Sequence, residues 1–131
     1  MATFYWPSIL TLGAMLVMIG NIMLVGHFRT RYGVVAPATT GNAHFERAYR
    51  VQMNTIESVL LFLPALWLAG LWGHASTVQI AGATWIVARI VYAFAYIKDP
   101  AKRSLGYGLS SFAAIALMVD AAGGVVHFVP A

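Results

Sequence analysis

The chain has 131 residues, of which 60% are hydrophobic and only 9% charged, and it contains no cysteine. A soluble domain carries about 25% charged residues, so this composition argues against a soluble domain and indicates a membrane protein. The lack of cysteine excludes disulfides, thiolate metal sites and cysteine nucleophiles, and the formal net charge of +4 is informative mainly through its placement.

Four apolar segments follow one another along the chain. Each is long enough to cross a hydrocarbon core of ~30 Å at about 1.5 Å per residue. Because backbone amides cannot remain unpaired in lipid, the segments are predicted to be helices. The predicted fold class is therefore all-α, an integral membrane four-helix bundle that forms one domain over residues 1–131. The predicted helices cover about residues 8–28, 44–73, 77–97 and 104–128.

Basic residues follow the first predicted helix and the third. Arg29 and Arg31 lie in loop 1, and Lys98, Lys102 and Arg103 lie in loop 3, whereas the opposite helix ends carry no lysine or arginine. The positive-inside rule places such basic loops in the cytoplasm. We therefore expect loops 1 and 3 inside and both termini outside, in the inner membrane if the source is bacterial.

Helix 2 begins with an unusually polar segment, FERAYRVQMNTIES (45–58). At 100° per residue, Arg50, Asn54 and Glu57 lie within about 60° of one another, while Gln52 points the other way. A carboxylate inside the membrane is costly unless it is paired or functional. The stripe is therefore a candidate binding site.

A simpler interpretation assigns the polar side chains of helix 2 to the membrane surface. Arg47 and Arg50 would then extend to lipid phosphates, and Glu46 would pair with Arg50 one turn later. This interpretation explains Asn54 and Glu57 poorly, because both lie deeper in the helix.

Helix 3 carries a second polar face, with Arg89, Tyr92 and Tyr96 at spacings of three and four residues. The tyrosines could instead be membrane-interface residues, and an Arg89 buried beside Glu57 would neutralise it and make both structural. Together the two helices supply cations, a carboxylate, amides and phenols, a set that suits a small zwitterionic ligand with several carboxylates. Such an electropositive pocket would also lower the pKa of a bound thiol, because it stabilises the thiolate.

Helix 4 contains one acidic residue, Asp120, which is predicted to be a hydrogen-bond partner between helices rather than a catalyst. The four histidines are scattered without ligand spacing, and no phosphate loop or dinucleotide fingerprint is present. We therefore expect neither a metal nor a nucleic-acid partner.

The segment FERAYRVQMNTIESVLLFLPALWLAG (45–70) resembles the signature of the MAPEG family, the membrane-associated proteins of eicosanoid and glutathione metabolism. The pattern E-R-x-x-R-x-Q-x-N-x-x-E is specific, and the likeness continues through ATTG (38–41), ARIVYAFAY (88–96) and KRS (102–104). The resemblance implies a homotrimer of four-helix subunits with glutathione bound between neighbours near the cytoplasmic face. It also implies a hydrophobic electrophile or lipid hydroperoxide that enters from the membrane lipids.

The resemblance further implies roles for individual residues. Arg103 is implied to face the glutathione sulfur and stabilise its thiolate, with Ser104 as a secondary hydrogen-bond donor. Arg31 and Arg47 are secondary candidates in the same region. The residues implied to hold glutathione on one subunit are Arg50, Asn54, Glu57, Tyr92 and Tyr96, and those implied to come from the neighbour are Arg29 and Gln52.

Two positions depart from the leukotriene-forming members of the family, because Ser58 stands where they have a tyrosine and Thr30 where they have a second arginine. These departures argue against leukotriene-type chemistry. RSLGY (103–107) is closer to the prostaglandin E synthase branch, whereas YRVQMNTIE (49–57) favours the glutathione-transferase branch.

The leading hypothesis is a membrane glutathione transferase of detoxification, with glutathione as cosubstrate, no metal, and a possible glutathione-dependent peroxidase activity. Two alternatives stay open at this point. One is a non-enzymatic membrane scaffold for lipids or partner proteins, although the lipid-binding branch of the family lacks the arginine matched by Arg103. The other is a small proton-coupled transporter that uses Glu57.

Overall fold

The structure, a computed structural model, describes residues 2–128, with side chains from Phe4 onward. These residues form four long helices and a short 3-10 helix, η1, before the last of them. The elements are α1 (Ala2–Tyr32), α2 (Ala43–Trp72), α3 (Ala75–Lys98), η1 (Pro100–Arg103) and α4 (Ser104–His127). All four α-helices are long and apolar enough to cross a membrane, which confirms the predicted all-α class with four spans.

Helix α1 is longer at both ends than the predicted span of about 8–28. At its start it runs through Pro7, which is buried and packs against Gly70 of α2. At its end it continues through Arg29 and stops where Gly33 adopts a positive φ of 67°. The amide of Val34 then donates to the Arg29 carbonyl at 3.1 Å, a common way to close a helix end. The hydropathy pattern marks only the membrane core, so it misses these extensions.

Helix α2 starts with a side-chain cap. Asn42 lies just before the helix in an extended conformation, and its Oδ1 accepts from the amides of His44 at 2.9 Å and Phe45 at 3.2 Å. These bonds satisfy two of the free amides of the first turn. The polar segment of α2 is therefore held in helical register from its first residue.

The bundle core lies between α1, α2, α3 and α4 and is built from alanines, larger aliphatic side chains and two stacked aromatic rings. Phe62 and Trp85 stack with ring centroids 4.0 Å apart, and both are fully buried. Small residues let the helices approach closely: a β-carbon at Gly106 of α4 would lie 2.6 Å from the backbone nitrogen of Tyr92. This contact presses the first turn of α4 onto α3 and fixes where η1 lies.

At the opposite end of the bundle, Asp120 of α4 contacts His74. Its carboxylate accepts from the backbone amide of His74 at 2.8 Å and lies 2.7 Å from Nδ1 of the same residue. These contacts join α4 to the connection between α2 and α3. The predicted role of Asp120 as an inter-helix hydrogen-bond partner is confirmed.

Candidate functional site

A cavity of about 620 Å³ lies between α2, α3 and α4, at the end of the bundle that carries η1. We call it the polar cavity. Seven of its nine lining residues were singled out from the sequence. The lining residues are Arg50, Met53, Asn54, Glu57, Tyr92, Tyr96, Arg103, Ser104 and Tyr107.

Two lining residues, Met53 and Tyr107, were not predicted from the sequence as site residues. Met53 lies three residues after Arg50, and Tyr107 lies four residues after Arg103, so both share a helix face with a predicted site residue. Applying the helical spacing to every neighbour of the motif residues would have identified them. Tyr107 adds a phenol that is half exposed at the mouth of the cavity.

Arg89, whose side chain is fully buried, does not line the polar cavity but contacts two residues that do. Its Nη2 donates to Thr55 Oγ1 at 2.7 Å and to Asn54 Oδ1 at 2.9 Å, and its Nη1 donates to Ser110 Oγ at 3.3 Å. The guanidinium also lies 4.2 Å from the centroid of the Tyr92 ring. Arg89 thus joins α2, α3 and α4 and fixes the orientation of Asn54 and Tyr92.

The sequence left open whether Arg89 pairs directly with Glu57. Within residues 2–128 its hydrogen bonds go to neutral oxygens, and no ion pair joins it to Glu57. The carboxylate of Glu57 therefore lines the polar cavity without an ion pair to Arg89. There it lies with Arg50 and Arg103, so the cavity carries charges of both signs.

Arg103 enters the cavity from the junction between η1 and α4. Its side chain is exposed, and Nη1 donates to the carbonyl of Pro100 at 3.3 Å. Asp99 stabilises this turn, because its Oδ1 accepts from the amide of Ala101 at 3.0 Å. The close approach of α4 to α3 at Gly106 then places Arg103 on the same cavity as Tyr92.

Four residues that the family resemblance implied for the site lie outside the polar cavity. Arg47 donates to the carbonyl of Ile97 at 3.2 Å and so caps the end of α3. Arg29 donates to the carbonyl of Ala38 at 2.7 Å and holds loop 1. The other two are Arg31, which is exposed, and Gln52, which is half-buried.

A smaller cavity of about 310 Å³ adjoins the polar cavity and shares Asn54, Glu57 and Tyr107 with it. The rest of its lining comes from α2 and α4, apart from Arg89 of α3, and mixes polar with apolar side chains: Ser58, Leu61, Arg89, Ser111, Ala114, Ile115 and Met118. Ser58, which stands where the leukotriene-forming proteins have a tyrosine, also lines it and accepts a 2.9 Å hydrogen bond from Trp85 Nε1. The arrangement places a less polar compartment beside the polar cavity.

Comparison with known proteins gives a family and several relatives. The MAPEG family model matches residues 7–123. An uncharacterized protein of Synechocystis sp. is 41% identical over 116 residues, which is 88% of this chain and 85% of the relative. Leukotriene C4 synthase of Bos taurus is 34% identical over 95% of this chain and 83% of its own length. Microsomal glutathione S-transferase 2 of Homo sapiens is 36% identical over 66% of this chain and 58% of its own length.

Proposed function

The chain belongs to the MAPEG family, and on that premise we propose that this integral, multi-pass membrane protein is a glutathione transferase. One observation carries the proposal: seven residues predicted to bind or activate glutathione line a single cavity. Relatives named for glutathione transfer and leukotriene C4 synthesis support the same chemistry.

The charges of the polar cavity complement those of glutathione. Arg50 can form charge-assisted hydrogen bonds with a carboxylate of the tripeptide, and Glu57 can accept from its ammonium group. Asn54 offers an amide to the peptide backbone and is oriented by Arg89. Tyr92 and Tyr96 close the α3 side of the cavity with their rings 5.6 Å apart. These groups would hold glutathione without taking part in the reaction.

The reacting end of glutathione would lie beside Arg103. A cysteine thiol has a pKa of about 8.5 and is mostly protonated at neutral pH. The guanidinium of Arg103 keeps its charge, so it favours the thiolate over the thiol. The hydroxyl of Ser104 can add a hydrogen bond to the sulfur. The thiolate would then attack an electrophilic carbon, forming a carbon–sulfur bond as the leaving group departs with its electron pair.

The second substrate would reach the sulfur through the adjoining smaller cavity. This compartment lies between α2 and α4 and shares Tyr107 with the polar cavity. A hydrophobic electrophile dissolved in the membrane lipids could therefore enter without crossing water. The substrate would pass from the lipid through the smaller cavity to the thiolate. A conjugating enzyme for apolar compounds requires such a path.

Reduction of lipid hydroperoxides is a second candidate activity, favoured by the position of Tyr107 on both cavities. The thiolate would attack the terminal peroxide oxygen and break the O–O bond, and the departing alkoxide would take a proton from the phenol. A second glutathione thiol would then condense with the sulfenic acid to give the disulfide and water, and the phenolate would recover a proton from solvent, replacing the one released when the first thiol ionised. The balance is two glutathiones oxidised for one hydroperoxide reduced to its alcohol.

A homotrimer is part of the proposal. In a single chain, Arg50, Glu57 and Arg103 are exposed at the open side of the polar cavity. Exposed charges at membrane depth are costly, and a neighbouring copy would cover them. Gln52 points away from the cavity of its own chain, and Arg29 lies at loop 1. Gln52 would approach the cavity of the neighbour directly, whereas Arg29 would first exchange its hydrogen bond to the Ala38 carbonyl.

The decisive experiment uses purified full-length protein with glutathione. A transferase should show the ultraviolet absorbance of a bound thiolate and should conjugate members of a panel of electrophiles, with hydroperoxides tested in parallel. Glutathione binding without thiolate absorbance or turnover would favour a scaffold instead. Flux driven by a pH gradient in vesicles, without turnover, would favour the proton-coupled transporter.

A further inference from the structure

A second large groove lies between α1 and α3, and we call it the α1–α3 groove. Its volume is about 670 Å³, and its walls are almost entirely apolar. Leu16 and Phe94 on its rim are 68% and 75% exposed, so the groove opens toward the surrounding lipid. It lies on the α1 side of α3, separate from the cavity between α2, α3 and α4.

Two buried polar donors line this apolar groove. Asn21 of α1 is 5% exposed and Arg89 of α3 is 1% exposed. Within residues 2–128, Nδ2 of Asn21 and Nε of Arg89 have no hydrogen-bond acceptor. Buried donors in folded proteins are nearly always paired, and hydrocarbon offers no water to replace a missing partner. Two such donors in one groove point to a ligand that brings acceptors.

Because of the register of α1 against α3, the two donors lie at different positions along the length of the groove. A β-carbon at Gly82 would lie 2.5 Å from Leu10 Cδ1, and one at Gly13 would lie 2.7 Å from Ile86 Cδ1. These contacts show that α1 and α3 run in the same direction. On this register Asn21 lies four to five residues, or ~7 Å, further along the bundle than the backbone of Arg89. A ligand that satisfies both needs two separated acceptors.

The ligand should be uncharged. The guanidinium of Arg89 also lines the smaller cavity on its other side, where the carboxylate of Glu57 lies. Its charge therefore already shares a cavity with an anion, and its Nε lacks only an acceptor. A second carboxylate drawn into the membrane core would add a desolvation cost. Carbonyl oxygens supply the acceptor without that cost.

The depth of the donors excludes a phospholipid headgroup. Arg89 precedes Lys98 by nine residues and Asn21 precedes Arg29 by eight, which puts both ~12–14 Å below the basic helix ends. The headgroup and interfacial layer of one leaflet is only about 5–8 Å thick. Ester carbonyls stay near that layer with their headgroups, so the ligand must be soluble in hydrocarbon throughout.

We propose that the α1–α3 groove binds an isoprenoid quinone. The two carbonyl oxygens at opposite ends of the quinone ring would accept from Asn21 Nδ2 and Arg89 Nε. Phe94, which is level with Asn21 on this register, offers aromatic surface to the ring, and the apolar walls receive the prenyl tail. The site is distinct from the polar cavity, so it stands or falls independently of glutathione chemistry.

The test measures binding of a decyl-substituted benzoquinone to the purified full-length protein in detergent. Quenching of tryptophan fluorescence should saturate at one quinone per chain, because Trp85 lies one turn before Arg89. Asn21→Leu keeps a similar volume but removes the donor, so affinity should fall about two- to tenfold, as expected for one hydrogen bond. Decylbenzene, which has the tail but no carbonyls, should bind wild type and Asn21→Leu equally.

A steric variant avoids the folding problem of replacing Arg89. A β-carbon at Gly20 meets no atom within 4 Å, yet Gly20 lines the groove, so Gly20→Leu should fill it and weaken quinone binding at least tenfold. Gly26 on α1 is equally unobstructed but does not line the groove. Gly26→Leu should therefore bind like wild type.

Three results would overturn the proposal. The first is unsaturable quenching that is the same in all variants, which would mean simple partitioning into the micelle. The second is a change in the size of the protein complex with Gly20→Leu, which would make the groove an interface between copies of the chain. The third is displacement of the quinone by phosphatidylcholine at equal concentration, which would make the groove a phospholipid site.

Discussion

Thr55 Oγ1 accepts a 2.7 Å hydrogen bond from Nη2 of Arg89, and both side chains are completely buried. The bond links α2 to α3 next to Asn54 and Tyr92, two residues that line the polar cavity. A buried guanidinium needs acceptors on every side, because it cannot lose its proton. The hydrogen bond between Thr55 and Arg89 should therefore contribute to the stability of the bundle and to the shape of the polar cavity.

Thr55→Val should destabilise the protein, because it keeps the side-chain volume but removes an acceptor from a buried charged group. The expected loss is about 1–2 kcal/mol in the free energy of unfolding, measured by thermal unfolding in detergent. Glutathione affinity should fall slightly as Asn54 reorients. Thr84→Val, on the side of α3 that faces another pocket, is the matched control and should unfold like wild type. Equal stability of the two variants would contradict the role given to Arg89.

Gly106→Ala should separate α4 from α3. The added β-carbon would lie 2.6 Å from the Tyr92 nitrogen and 2.7 Å from the Ala88 carbonyl oxygen, and these are backbone atoms that cannot rotate away. We expect lower thermal stability together with a large fall in turnover, because Arg103 moves with the first turn of α4. Gly108→Ala, where no atom lies within 4 Å, should be neutral or slightly stabilising. Full activity of Gly106→Ala would show that this contact does not position the site.

Arg50→Ala and Glu57→Gln should each weaken glutathione binding while the protein remains assembled. A hydrogen bond to a charged group contributes about 1.5–3 kcal/mol, which corresponds to about 10- to 150-fold in affinity. Calorimetric titration with glutathione would measure the change. Glu46→Gln on the same helix lies outside the cavity and serves as the control. Variants that fall apart in detergent, with unchanged affinity in the surviving fraction, would assign both residues a structural role.

The membrane orientation can be tested with single cysteines, because the chain has none of its own. Ser76→Cys lies at the start of α3, and Ala101→Cys lies within η1. The positive-inside rule predicts that an impermeant thiol reagent added to intact cells labels position 76 and spares position 101. Labelling after cell lysis shows that both cysteines can react. Labelling of position 101 from outside would show that the predicted orientation is wrong.

Helical periodicity alone was enough to predict that Arg50, Asn54 and Glu57 share a face, because this relationship is local to one helix. Arg103 lines the same cavity only because of how α3 and α4 pack. The sequence suggested this only through resemblance to a family. The partners of Arg89 were not predictable, because Thr55 and a serine on α4 are remote in sequence. Both are also uncharged, so nothing in the sequence marks them as partners of a buried cation.

The last prediction concerns the reaction itself and rests on Arg103. The residue lies where η1 meets α4, so its fixed charge and the partial positive charge of the helix N-terminus both favour a thiolate nearby. Each unit by which the thiol pKa is lowered corresponds to about 1.4 kcal/mol. In Arg103→Ala the pKa of bound glutathione should rise toward that of a free thiol, whereas the carboxylate contacts remain.

Arg103→Ala should therefore still bind glutathione but lose the thiolate absorbance, and turnover at neutral pH should fall at least tenfold. Activity should partly return at higher pH, because the thiol then ionises unaided. Lys102→Ala removes an exposed cation next to Arg103 that does not line the cavity, so it should keep the wild-type pH profile. Wild-type turnover with an unshifted profile in Arg103→Ala would remove this residue from the mechanism, and Arg31 would then be the next arginine to test.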